Sequence, residues 1–192
     1  MQINPIDLKR KISLLSKSEV EKLYQGLTYT TIHFPQAVMI GGCSVVTYTK
    51  SNDRLLTPDL DFLVDTDVVK HQLETDNINH QLLLDSKENI IGITINGFTD
   101  YLDINTGNLQ LNRIIITEYN TVTINDCNVG IIKPELLVIL KLELSRNKDV
   151  EDALLLLQSG SMDKNLYLKY LKDLQPTLTD YESLNSYSEM IV

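Results

Sequence analysis

Apolar and polar positions divide the chain into a mixed first part and a helical second part. Ile6, Leu8, Ile12 and Leu14, then Val20, Leu23 and Leu27, predict helix over residues 5–27 with one break. Pro5 suits a first helical position, and Ser16 or Ser18 can cap the second segment. The apolar run from Ala37 to Ile40, stopped by Gly41 and Gly42, predicts a buried strand. Residues 43–50 then predict a short helix, although Val45, Val46, Thr47 and Thr49 are weak helix formers. A loop from Ser51 to Arg54 leads to a second strand over residues 59–64.

Residues 66–76 predict helix. Strands are expected near 80–85, 90–95, 100–105 and 112–117, with shorter ones near 121–124 and 127–132. From Pro134 the leucine-rich stretches Leu136 to Leu144 and Ala153 to Leu157 predict helices. No internal repeat or Pro/Gly/Ser-rich linker separates the parts. The expectation is an α+β (α/β) fold with a mixed sheet flanked by helices. Residues 1–132 form its core with the N-terminal helices, and residues 133–192 form a helical part packed on that core.

Composition narrows this picture. With 192 residues, 43% hydrophobic and 22% charged, the chain can bury about 70% of its unfolded surface, which argues against a disordered chain and against a membrane protein. Cys43 and Cys127 are not needed as a disulfide framework, and with His33, His71 and His80 they form no zinc pattern. The first residues lack an apolar leader, since Lys9, Arg10 and Lys11 interrupt the pattern, so a cytoplasmic setting is expected.

The chemistry concentrates in Met39-Ile40-Gly41-Gly42-Cys43-Ser44 and Asp59-Leu60-Asp61-Phe62. Alternate residues of a strand share a face, so Asp59 and Asp61 point one way and Leu60 and Phe62 the other. Paired carboxylates repel unless a cation lies between them, and Mg²⁺ takes such oxygens while leaving positions for substrate phosphates. Between a strand and a helix, Gly41 and Gly42 allow a tight turn at which amides and Ser44 can hold phosphate oxygens. A two-metal site needs a third carboxylate, and Asp103 in Tyr101-Leu102-Asp103-Ile104-Asn105 is the candidate. Asp103 reads equally as a strand-end aspartate starting a turn, and Asp100 is its competitor for the role.

Further on, Lys133-Pro134-Glu135-Leu136-Leu137, Lys141-Leu142, Arg146-Asn147-Lys148-Asp149 and Asp152 follow in order. Lys141, Ser145, Lys148 and Asp152 share one face if the helix runs on to residue 152. Alternatively Lys141 snorkels at a surface, and a new helix begins after Asn147 with Lys148 pairing to Asp152.

Taken in this order, the motifs over about residues 37–158 resemble the nucleotidyltransferase superfamily related to DNA polymerase β, on the branch of the AbiEii-type toxins and their minimal relatives. The resemblance implies a nucleotidyltransferase-like fold, a nucleoside triphosphate substrate and two Mg²⁺ ions. Asp59 and Asp61 would bind metal with the triphosphate, and Asp103 would complete the second metal site and help deprotonate the acceptor. Gly41, Gly42 and Ser44 would hold the triphosphate, Lys141 would reach it, and Lys148 would lie toward the same cleft. Arg146, Asp149 and Asp152 belong to the second-half motif. Arg54 and Thr57 stand farther apart than the arginine and threonine of relatives, and Cys43 replaces a small residue such as threonine or serine.

The chain carries 17 basic against 26 acidic side chains, a net −9. That surplus argues against broad nucleic-acid affinity, while Lys133, Lys141, Arg146 and Lys148 gather basic charge in the segment expected to face the cleft. The implied activity is nucleotide transfer to a macromolecular acceptor, RNA such as tRNA or a protein, in toxin–antitoxin or phage-defence fashion with an antitoxin partner. Two alternatives remain: a small-molecule nucleotidyltransferase acting on a polycation such as an aminoglycoside, and an inactive binding protein with the same fold.

Overall fold

A computed structural model describes residues 10–49, 56, 59–76, 80–85, 90–95, 97–98, 102–106 and 110–192. Helix α1 spans Lys17–His33, and a capping box fixes its start: the Ser16 hydroxyl accepts from the Glu19 amide while the Glu19 side chain accepts from the Ser16 amide. Its inward face carries Leu23, Gly26, Leu27 and Thr30, the three-and-four spacing of a helix laid on a core. Strand β1 (Val38–Ile40) runs directly into α2 (Gly41–Tyr48). Next come β2 (Leu60–Leu63), α3 (Thr66–Thr75), β3 (His80–Asp85), β4 (Ile90–Ile95) and β5 (Leu102–Thr106). Helix α4 (Gln110–Thr117) leads to the hairpin of β6 (Tyr119–Ile124) and β7 (Cys127–Ile132). Helices α5 (Pro134–Leu144), α6 (Asn147–Leu157), α7 (Lys164–Leu174) and α8 (Tyr181–Ser186) follow.

Among the described residues seven strands join one mixed sheet in the order β3-β4-β5-β2-β1-β7-β6. β1 pairs antiparallel with β2 and parallel with β7, and β2 pairs parallel with β5. The expected α+β class, with a mixed sheet flanked by helices and a helical C-terminal part, is what the chain adopts. Central positions Val38, Met39, Phe62, Leu63, Ile104 and Ile131 are buried, as apolar runs in strands covered on both faces must be. Helix α5 buries Leu136, Leu137, Val138 and Ile139 in succession, so it is enclosed on every side. It packs against α2, α6 and α7, which brings its last turn to the end of the sheet where β1 passes into α2.

One element differs in kind from its expectation. Residues 112–117, read as a strand from Ile114, Ile115 and Ile116, lie in helix α4. Leu111 and Ile115, four residues apart, are buried while Arg113 and Thr117 face out, so the helical spacing overrides the β-preference of the isoleucines. The final strand of this region begins only at Tyr119, opposite Ile132. Helix 43–50 also starts two residues earlier, at Gly41 itself.

Candidate active site

The site is built at the turn between β1 and α2. Gly41 adopts φ +68°, a left-handed conformation that side-chain-bearing residues enter at a cost. A Cβ placed there would lie 2.0 Å from Asp61 Oδ2 and 2.7 Å from its Cγ, so the space beside Gly41 belongs to that carboxylate. The antiparallel register that sets Ile40 opposite Asp61 makes the approach unavoidable. The N-cap residue of α2, Ile40, has no side-chain acceptor for the first amides of the helix, which suits them to an external acceptor. At the other end, the Lys11 ammonium donates to the carbonyls of Val46 and Thr49, each at 2.9 Å, and to Thr49 Oγ1 at 3.3 Å. Lys11 is 1% exposed, a buried cation at a helix C-terminus where the dipole favours it.

Ser44 lies on α2 but does not open toward the turn. Its hydroxyl is fully buried and donates to the carbonyls of Met39 (2.8 Å) and Ile40 (3.0 Å). The expectation that it holds a phosphate is corrected by this geometry: the side chain ties helix to strand from within. Cys43 acts similarly across the turn, its thiol donating to the Asp59 carbonyl at 3.1 Å.

Two of the carboxylates stand side by side on neighbouring strands. Parallel pairing of β2 and β5 sets Asp61 beside Asp103, so their side chains share a face, and Asp59, one residue before β2, lies near enough for its charge to act on Asp61. Asp59 is exposed and Asp103 half-buried. Burial pushes the Asp61 carboxyl above the ordinary aspartate range, and the charges of Asp103 and Asp59 push the same way, opposed by Lys141 and Lys148. Among the described residues no three carboxylate, histidine or thiol side chains are grouped closely enough to hold a metal ion. The donor set nonetheless suits a hard divalent cation: it is all carboxylate oxygen, and like charge held partly out of water is relieved by one. Asp100, the alternative third carboxylate, lies outside the described residues, as do Arg54 and Thr57.

Opposite the carboxylates stands a buried ionic cluster. Helix α5 ends at Leu144, Ser145 turns left-handed at φ +54°, and α6 restarts at Asn147, so the second helix is a new one. This turn folds Asp149 and Asp152 back onto Lys141, whose ammonium lies 2.7 Å from Asp149 Oδ1 and 3.1 Å from Asp152 Oδ2. All three side chains are almost fully buried. Arg146 grips the second oxygen of Asp149 through Nε at 2.5 Å, its own side chain 72% exposed. Burial alone pushes Asp149 upward, but the hydrogen bonds from Arg146 and Lys141 outweigh it and hold the carboxyl below its usual range. Lys148 is exposed beside this cluster. Lys133 is not at the cleft as expected, since its ammonium is 3.2 Å from Glu118 Oε2 and 3.1 Å from the Tyr170 hydroxyl.

The Cys43 tether and the Lys11 cap were not foreseen. Lys11 carried no signal of its role, since in the sequence it stands with Lys9 and Arg10 as an interruption of the apolar pattern. His33 pairs with Asp76 at 2.7 Å and stacks on Tyr29, at the edge of the core where a histidine without a ligand set was expected.

No family model and no curated protein matches the chain. Among solved structures it is similar to an antigenic nucleotidyltransferase-like protein from Paracoccidioides brasiliensis, at 13% identity and TM-score 0.47, over 93% of this chain and 95% of that one. It is also similar to JHP933 from Helicobacter pylori, at 14% identity and TM-score 0.43, over 92% and 93% of the two chains.

Proposed function

We propose that this chain is a Mg²⁺-dependent nucleotidyltransferase that moves a nucleoside monophosphate from a nucleoside triphosphate to a macromolecular acceptor, RNA such as tRNA or a protein. The observation that carries the reading is the register of Asp61 beside Asp103, with the Gly41 turn packed on the Asp61 carboxylate. Asp59, Asp61 and Asp103 would hold two Mg²⁺ ions, which supply charge neutralisation at the α-phosphate and the departing pyrophosphate. Gly41 and Gly42 offer main-chain amides at the α2 N-terminus to the triphosphate. Lys141 and Lys148 supply the positive field that Asp61 already experiences. The acceptor hydroxyl attacks the α-phosphorus, its proton passes to Asp103, and the bond to the β-phosphate oxygen breaks to release pyrophosphate. The residues contribute mainly by positioning and charge.

On this reading the protein acts in the cytoplasm as a toxin–antitoxin or phage-defence enzyme held in check by an antitoxin. Among the described residues no helix is long and apolar enough to cross a membrane. A second reading, transfer to a cationic small molecule such as an aminoglycoside, is favoured by the net charge of −9.

The test incubates the protein with Mg²⁺ and each α-labelled nucleoside triphosphate against total RNA, cell lysate and an aminoglycoside panel. The Asp59→Ala, Asp61→Ala double variant is the control. Label in RNA or protein that vanishes in the variant supports the proposal, and label confined to small molecules supports the second reading. Nucleotide binding without transfer to any acceptor overturns both.

A further inference from the structure

We propose that Cys43 is a positioning residue that sets Asp59 for cation binding through a thiol-to-carbonyl bond, an inference that rests on the carboxylate-site reading above. The β1–β2 ladder ends where Ile40 faces Asp61. Continued by two residues it would set Asp59 against Gly42, but there the partner chain has already left the sheet as α2. Asp59 therefore stands beyond the last rung of this ladder, one residue before β2 begins, with its side chain exposed to solvent. The Cys43 thiol reaches across and donates to the Asp59 carbonyl at 3.1 Å. Cys43 is only 4% exposed, so its sulfur is held by the fold, and the bond it makes is part-buried.

The tether links the two halves of the site. Cys43 lies in the first turn of α2, whose amides face the turn, and Asp59 is the outermost of the three carboxylates. Ser44 fastens the same turn to Met39 and Ile40, so consecutive side chains bind α2 to β1 and to the approach of β2. Loss of the thiol would free Asp59 to rotate while leaving Asp61 and Asp103 fixed by their ladder. The sulfur itself takes no ligand; it acts through the main chain of Asp59.

Two readouts test this on the full chain, with Cys43→Ala, Cys43→Ser and the control Cys127→Ser. Hydrogen–deuterium exchange of the peptide covering residues 56–62 reports the tether without any metal. Mn²⁺ titration followed by electron paramagnetic resonance reports the carboxylate site without turnover. The expected result is faster exchange in Cys43→Ala, Mn²⁺ affinity weakened about three- to tenfold, and recovery in Cys43→Ser because a hydroxyl also donates. Cys127→Ser should match the parent in both. Unchanged exchange in Cys43→Ala, or Mn²⁺ affinity equal to the parent's, overturns the proposal. Faster exchange in Cys43→Ala when neither the parent nor an Asp61→Asn variant binds Mn²⁺ keeps the tether and overturns the cation-site reading instead.

Discussion

Gly41 and Asp61 occupy one space: the carboxylate of Asp61 lies where any side chain at position 41 would have to go, 2.0 Å from an ideal Cβ. The turn is thus specified twice, by a positive φ and by an acidic neighbour. Gly41→Ala should lose about 1–3 kcal/mol from backbone strain alone. It should also displace Asp61 from its strand-face position, weakening Mn²⁺ affinity about tenfold or more. Urea denaturation and Mn²⁺ titration measure the two effects separately, and a variant that binds Mn²⁺ like the parent would refute the shared-space argument.

Without a cation beside it, Asp61 is a source of instability. A carboxyl whose pKa is higher in the folded than in the unfolded chain binds its proton more firmly when folded. Stability therefore falls as pH rises from the unfolded value of about 4 through the raised one. In EDTA at pH 7, Asp61→Asn should accordingly be more stable than the parent. Adding Mg²⁺ should raise the parent's melting temperature and leave the variant's unchanged. Parent and variant with the same pH profile in EDTA would contradict this.

The Lys141 cluster has the opposite sign. Asp149 is held below its usual range, so it contributes stability that is present above the unfolded pKa and lost as pH falls through the folded one. Asp149→Asn removes one of the two carboxylates on a buried ammonium and should cost about 3–5 kcal/mol at pH 7. The gap between parent and variant should close below about pH 4. Thermal melts between pH 3 and 7 would show it.

Ser44→Ala separates a fold role from a phosphate role. Its hydroxyl bonds only join α2 to β1, so the variant should lose about 1 kcal/mol of stability. Triphosphate affinity by calorimetry should stay within about twofold of the parent. A selective loss of triphosphate affinity at unchanged stability would restore Ser44 to the site.

What could be read from the chain was local pattern. Alternation placed Asp59 and Asp61 on one face, and the Gly-Gly stop after an apolar run marked the turn. The adjacency of Asp61 and Asp103 is consistent with their strand positions, but only the parallel β2–β5 register establishes it. The misreadings are tertiary in origin. Ile114 to Ile116 favour a strand in isolation and become a helix because Leu111 and Ile115 are buried four residues apart. Ser44 has the residue type of a phosphate binder, yet the carbonyls of Met39 and Ile40 accept its hydrogen bonds. Lys133 was grouped with the cleft by proximity in sequence, whereas Glu118 and Tyr170, far along the chain, decide where it points.

The parallel pairing of β1 with β7 has a consequence for the protein's synthesis. Val38 needs Gly130 and Met39 needs Ile131 as partners, and the lysine facing Asp61 is held by residues as late as Asp152. A nascent chain therefore displays its carboxylates long before it can assemble them. At about 5–20 residues per second, several seconds separate emergence of Asp61 from emergence of Asp152. Through that interval the ribosome-bound protein lacks the cluster that balances its acidic strands, so whatever chemistry the site performs begins only after Asp152 has emerged.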